Sequence, residues 1–171
     1  MADREAPIWS KPAFIAVPAI VIAGSLIGIV TGSSERNGWY AALQKPSFMP
    51  PGWLFPAVWT ILYALMGVAL AMVIAEPPSS RRKFALRLFA AQLALNFAWS
   101  PIFFAGHDIG LAKIVIFVIT ALAAAAAGQF FRLRRTAGYL MLPYLAWLVF
   151  AATLNSSIEQ LNPGAGTSLI G

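Results

Sequence analysis

Residues 45–75 read KPSFMPPGWLFPAVWTILYALMGVALAMVIA, a lysine and a proline-rich turn running straight into a long apolar stretch with no charged side chain. Proline is excluded from a helix interior, where it lacks an N–H and clashes with the preceding turn, yet it is favoured at a helix start. Pro50 and Pro51 therefore predict a helix that begins near Trp53 and continues to about residue 75. A bilayer core of about 30 Å needs roughly 20 apolar helical residues, so this run is long enough to cross a membrane.

The rest of the chain repeats the pattern. Stretches of this kind lie at about 13–33, 53–75, 86–105, 110–131 and 138–158. With 171 residues, 60% of them hydrophobic and 11% charged, and a mean hydropathy of +0.75, little chain remains outside these runs. The expectation is all-α: an integral membrane bundle of five transmembrane helices, one domain over residues 1–171. The first run is longer than the roughly 7–15 apolar residues of a cleavable signal peptide, and no Ala-x-Ala site precedes TGSSER, so it is read as a span. The chain has no cysteine and a single histidine, which excludes disulfides and thiolate metal sites; no metal site is expected.

The net charge of +6 would suit a nucleic-acid partner, but the placement of the charges argues otherwise. Threading five spans puts Lys/Arg at 4, 11, 81, 82, 83, 87, 132, 134 and 135 on one side, and Arg36, Lys45 and Lys113 on the other. That asymmetry is the positive-inside pattern, giving a cytoplasmic N-terminus, a C-terminus on the outer side and no nucleic-acid role. It also places the proline-rich turn outside. The basic run in EPPSSRRK reads as a solvated loop with some contact to anionic headgroups.

Polar and aromatic residues inside the spans mark the faces that avoid lipid. In the second span Pro56, Trp59, Thr60, Tyr63 and Gly67 recur at helical steps on one face, and Trp59 and Tyr63 lie too deep for an interfacial belt. In the third, Gln92, Asn96 and Ser100 form a polar stripe, expected to line a cavity because an unpartnered amide in hydrocarbon is costly. Ala90, Ala94 and Ala98 lie about 200° away, free to pack against a second subunit of a homodimer. The fifth span carries Pro143 and places Tyr144, Trp147, Ala151 and Leu154 on one stripe, with Phe150 and Asn155 beside it. Gly24, Gly28 and Gly32 of the first span offer a close-packing face, used either within one chain or between two, and Pro18 should bend that helix. The alanine run of the fourth span reads as tight packing.

Apart from Arg87 near a helix end, no ionisable side chain falls well inside a span, which weighs against an ion-coupled pump or channel. His107 and Asp108 are adjacent, but a solvated turn explains them better than a catalytic pair. The remaining chemistry is an apolar, aromatic cavity with a few amides and hydroxyls, the usual make-up of a small-molecule site.

Three segments carry a resemblance: WYAALQKPSFMPPGWLFPAVWTILYALMG, ALNFAWSPIFF and YLMLPYLAWLVFAATLN. Together they resemble the TspO/MBR family of tryptophan-rich sensory or translocator proteins, from about Trp39 to Asn155. The resemblance implies a five-helix membrane protein, often dimeric, that binds porphyrins such as protoporphyrin IX and haem, and benzodiazepine-type ligands, with a sensory or regulatory role. It requires no obligatory cofactor. Matched residue by residue, it places the ligand pocket on Tyr40 and Pro50 of the first loop, Trp59, Tyr63, Asn96, Trp99, Trp147, Ala151 and Leu154. The first loop would be a lid over the pocket mouth.

Two other activities follow from the same resemblance. In a light-dependent porphyrin-degrading enzyme, Trp59 and Trp147 would be redox partners of the excited ring. In a facilitated transporter of porphyrin or lipid-like molecules, movement would be downhill, since the chain holds no coupling group or ATP motif. This sequence departs from the family pattern at Phe48, where tryptophan is common, and at Val115, where an acidic residue is. It also has Ala152 and Thr153 for Thr and Tyr, and Ser156 and Glu159 in a segment that often bears two tryptophans. The missing tyrosine and basic residue remove the C-terminal sterol pattern, itself weak evidence.

Overall fold

The computed structural model of the chain describes residues 11–166, which form helices and turns. The elements are α1 (Lys11–Val30), α2 (Gly38–Ala42), α3 (Leu54–Ile74), α4 (Ser80–Ser100), α5 (Ile109–Leu133) and α6 (Arg135–Leu161). A π-helical turn, Pro101–Ala105, extends α4. Five of these helices, α4 with its extension among them, are long and apolar enough to cross a membrane, as the hydropathy predicts. Arg4, one of the cations counted above, lies outside the described residues.

Contacts at the two ends of the bundle fix the threading. At one end the loop after α1 meets the α4–α5 loop and the end of α6: Trp39 stacks on His107, with centroids 4.4 Å apart, and its indole N–H donates to the Ala165 carbonyl at 3.1 Å. At the other, Arg134 of the α5–α6 turn lies 3.8 Å from Glu76 of the α3–α4 loop. The chain therefore alternates direction through the bundle, and the cations divide between its ends as expected.

Local chemistry explains where boundaries differ from expectation. α4 begins at Ser80, well before the predicted residue 86, because the Ser79 hydroxyl accepts from the Arg82 N–H at 3.1 Å and caps the helix. The basic run is thus the first helical turn, not a loop. α1 ends at Val30, short of the predicted 33, and Gly32 adopts φ 66. The Ser33 N–H donates to the Gly28 carbonyl at 2.9 Å and the Gly32 N–H to Ile29 at 3.2 Å, which is a Schellman cap. Gly32 is a helix stop, not part of the packing face.

Asp108 is buried, 4% exposed, and accepts from the Leu111 N–H at 2.8 Å, capping α5. The expected solvated turn at His107–Asp108 is instead a buried cap beside a stacked ring. Past Ser100, the Gly106 N–H donates to the Pro101 carbonyl at 2.8 Å, the wider repeat of a π turn.

Small residues set the helix spacing. A Cβ on Gly24 would lie 2.1 Å from the Tyr63 ring, and one on Gly67 would lie 2.7 Å from the Val17 backbone, so α1 and α3 interlock through two glycines. Gly24 is accordingly used within the chain, whereas a Cβ on Gly28 would meet nothing within 4 Å. Ala123, Ala126 and Ala127 are buried on α5, which bears out close packing of its alanine run. The outward surface is apolar, with Phe14, Ile29, Ile61, Phe117 and Val149 all more than half exposed.

Candidate ligand pocket

The polar stripe of α4 faces inward and is spent on neighbouring helices. The Tyr63 hydroxyl of α3 donates to Asn96 Oδ1 at 2.9 Å, Asn96 Nδ2 donates to the Tyr144 hydroxyl oxygen at 3.1 Å, and Tyr144 in turn donates to Gln92 Oε1 at 2.7 Å. One relay thus ties α3, α4 and α6 together at the level of the tryptophans. The amides staple the helices here instead of facing open space, because each finds a tyrosine within reach across the bundle. Beside the relay, Gln92 Nε2 and Trp147 Nε1 are enclosed and without a hydrogen-bond partner among the described residues.

Aromatic rings surround this relay. Trp59 lies 5.2 Å from the Tyr63 ring and 6.3 Å, edge-on, from Tyr144. Trp147 packs edge-on against Phe55 at 5.8 Å and beside Phe150 at 5.4 Å. It also borders an apolar groove of about 470 Å³ between α3 and α6, lined by Val58, Ile61, Leu62, Pro143 and Ala146. That volume lies within the roughly 300–1,000 Å³ of small-molecule sites. Ile61 is 60% exposed, so the groove opens on the side of the bundle that faces lipid.

A second aromatic group forms a roof at the lid end. Tyr40 and Leu43 of the first loop are buried against Phe103, Ile109, Ala112 and Ile158. Trp99 stacks on Phe103 at 4.9 Å, donates its N–H to the Ala112 carbonyl at 3.0 Å, and touches both the roof and the main core. The π turn supplies the roof's centre by placing Phe103 among Trp39, Tyr40 and Trp99.

The lid is fastened at several points. Asn162 accepts from the Gln44 N–H and donates to the Gln44 carbonyl, each at 2.8 Å, while Asn37 Nδ2 donates to the Phe104 carbonyl at 3.1 Å. The Lys45 ammonium sits 4.6 Å over the Tyr40 ring. Burial raises the pKa of the Tyr40 hydroxyl above its ordinary value, and the Glu35 charge adds to the shift. Lys113 and Glu159 form an ion pair that joins α5 to α6 at this end.

Of the sequence-predicted residues, Trp59, Tyr63, Asn96, Trp147 and Ala151 meet in or against the core, and Tyr40 and Trp99 meet in the roof. Pro50 is half-buried in the lid and Leu154 is buried in α6, and neither belongs to these two packed groups. Sequence reasoning left Tyr144 out of the site although it is the node of the relay; its place three residues before Trp147 on the same stripe was the available signal. Phe103 and Asn162 carried no such signal, since one depends on the π turn and the other on the lid's path.

These features define a class: a multi-pass membrane bundle that carries indole, phenol and amide groups at depth, closed at one end by a pinned loop. Residues 14–161 match the model of the TspO/MBR family, and the chain belongs to that family. It is 42% identical over 162 residues to the translocator protein of Sus scrofa, covering 93% of this chain and 94% of that one. It is 44% identical over 150 residues to the tryptophan-rich protein TspO of Chlorobaculum tepidum, covering 84% and 92%. The tryptophan-rich sensory protein of Cereibacter sphaeroides is 43% identical over 128 residues, covering 75% and 79%. Membership, with five helices able to span, makes this an integral multi-pass membrane protein.

Proposed function

We propose that the protein binds a flat, largely apolar tetrapyrrole such as protoporphyrin IX or haem, with benzodiazepine-type molecules as alternative ligands, and that occupancy serves a sensory or regulatory output. The observation that carries this reading is Trp147: a deep indole bordering a groove of about 470 Å³, its N–H enclosed and without a partner. A ring stacked on Trp147 and Trp59 gains apolar burial and aromatic contact, and a ligand acceptor supplies the missing hydrogen bond. Propionates at the ring edge would reach the lid end, where Arg36 and Lys45 lie. Relatives named as sensory and translocator proteins are consistent with a ligand-responsive role.

The same reading takes the basic end of the bundle as cytoplasmic, and Ala90 and Ala94, exposed on α4 beside half-buried Ala98, as the face of a homodimer. Titration of the purified protein with protoporphyrin IX, followed by tryptophan quenching, tests the binding claim. Trp59→Ala and Trp147→Ala should each weaken binding about tenfold or more, and Trp147→Phe should fall between Trp147→Ala and wild type. Equal binding by all of them would refute the pocket.

A further inference from the structure

We propose that the end of the bundle where α4 and α6 begin is a docking site for the headgroup of an anionic phospholipid. Arg81, Arg82 and Lys83 occupy the first turn of α4, with Arg87 farther along, while Arg132 closes α5 and Arg134 and Arg135 open α6. Among the described residues the carboxylate at this end is Glu76, which lies 3.8 Å from Arg134. Arg81, Arg82 and Lys83 at the start of α4 and Arg135 at the start of α6 sit at the positive ends of two helix dipoles, where an anion is favoured.

Packing aims part of this charge at one place. Phe89 stacks on Phe130 at 5.6 Å and 14°, holding the first half of α4 against the end of α5. Arg82 shares a helix face with Ala85 and Phe89, both buried, so it lies on the inward side of α4. Its side chain is half-buried, and its Nε is enclosed with no hydrogen-bond partner. A guanidinium held this way presents a fork suited to a phosphate, which a lysine cannot reproduce.

The surroundings select a lipid over a soluble anion. Phe84 is 51% exposed one turn into α4, Tyr139 is 61% exposed one turn into α6, and Leu142 beyond it is 44% exposed. Apolar surface thus lies just below the cations, where the first carbons of an acyl chain would sit once the phosphate meets Arg82. Basic side chains at this level attract anionic headgroups by amounts that make each cation worth a measurable fold in binding. The inference is independent of what the aromatic core binds.

The test is native mass spectrometry of the full chain, delipidated in detergent and titrated with phosphatidylglycerol or phosphatidylcholine. Wild type should retain phosphatidylglycerol severalfold better than phosphatidylcholine. Arg82→Gln should lose about fivefold in phosphatidylglycerol binding with phosphatidylcholine unchanged. Should Arg82→Gln fail to fold, the exposed pair Arg81→Gln and Lys83→Gln undergoes the same titration with the same expected loss. Equal retention of the two lipids by wild type, or unchanged binding in the folded variant, would overturn the proposal. Displacement of the lipid by millimolar inorganic phosphate would overturn it too, since the site would then be a free-phosphate site.

Discussion

Asn96 answers two tyrosine hydroxyls at once, and that explains why an amide is stable deep in an apolar bundle. Replacing it with leucine leaves the Tyr63 hydroxyl without its acceptor and removes the donor to Tyr144, which keeps Gln92, at about 1–3 kcal/mol. Thermal or denaturant unfolding in detergent should show that loss, and Asn96→Asp should lose at least as much, because a buried carboxylate must also be kept neutral. That Asn96 faces inward was legible from its four-residue spacing with Gln92 and Ser100. That tyrosines and not open space would receive it was not, because pairing across helices depends on their relative rotation and depth, which one helix's periodicity does not encode. Tyr40 adds a pH dependence. Its hydroxyl is raised above 10.0 in the folded lid by burial and by Glu35, so its contribution is complete below the unfolded value and declines as pH rises above it. Stability should be insensitive to Tyr40 between pH 6 and about 9 and fall above pH ~10, and Tyr40→Phe should reduce that alkaline loss in a pH series of unfolding midpoints.

Among the elements, α1 and α3 show most sharply how spacing is set. Gly24 makes room for the Tyr63 ring that starts the relay, while Gly28, one turn on, has open space at its Cβ position. Gly24→Ala should therefore cost about 1–3 kcal/mol through overpacking and weaken tetrapyrrole binding by displacing Tyr63. Gly28→Ala should be neutral or stabilise by up to about 1 kcal/mol through helix propensity. Matched unfolding curves of the two variants decide the point. The five spans were legible because a bilayer tolerates only long apolar helices with internal hydrogen bonds. The ends were less so: Ser79 extends α4 into a run of cations, Gly32 stops α1, and a π turn replaces the expected end of α4, each decided by a few local hydrogen bonds that hydropathy does not register.

For the whole molecule, the proline-rich lid and the last turn of α6 act as one unit, because Asn162 closes both backbone groups of Gln44. Asn162→Ala removes two hydrogen bonds from the latch, and ligand dissociation measured by stopped-flow fluorescence should quicken about fivefold, with a smaller change in association rate. The pinned loop and the roof around Phe103 close one end of the bundle, and the relay ties α3, α4 and α6 together in the core. Pro50 and Pro51 belong to this loop: by fixing where α3 starts they limit the conformational freedom the loop loses on folding.

The central claim is that a tetrapyrrole sits against Trp147 and uses its buried N–H. The most direct measurement is the indole 15N–1H spectrum of the protein in detergent, with and without protoporphyrin IX, the Trp147 signal assigned by Trp147→Phe. The Trp147 resonance should shift strongly, through the porphyrin ring current and the new hydrogen bond, while that of Trp53, 70% exposed at the start of α3, stays in place. An unmoved Trp147 signal at saturating porphyrin would contradict the account.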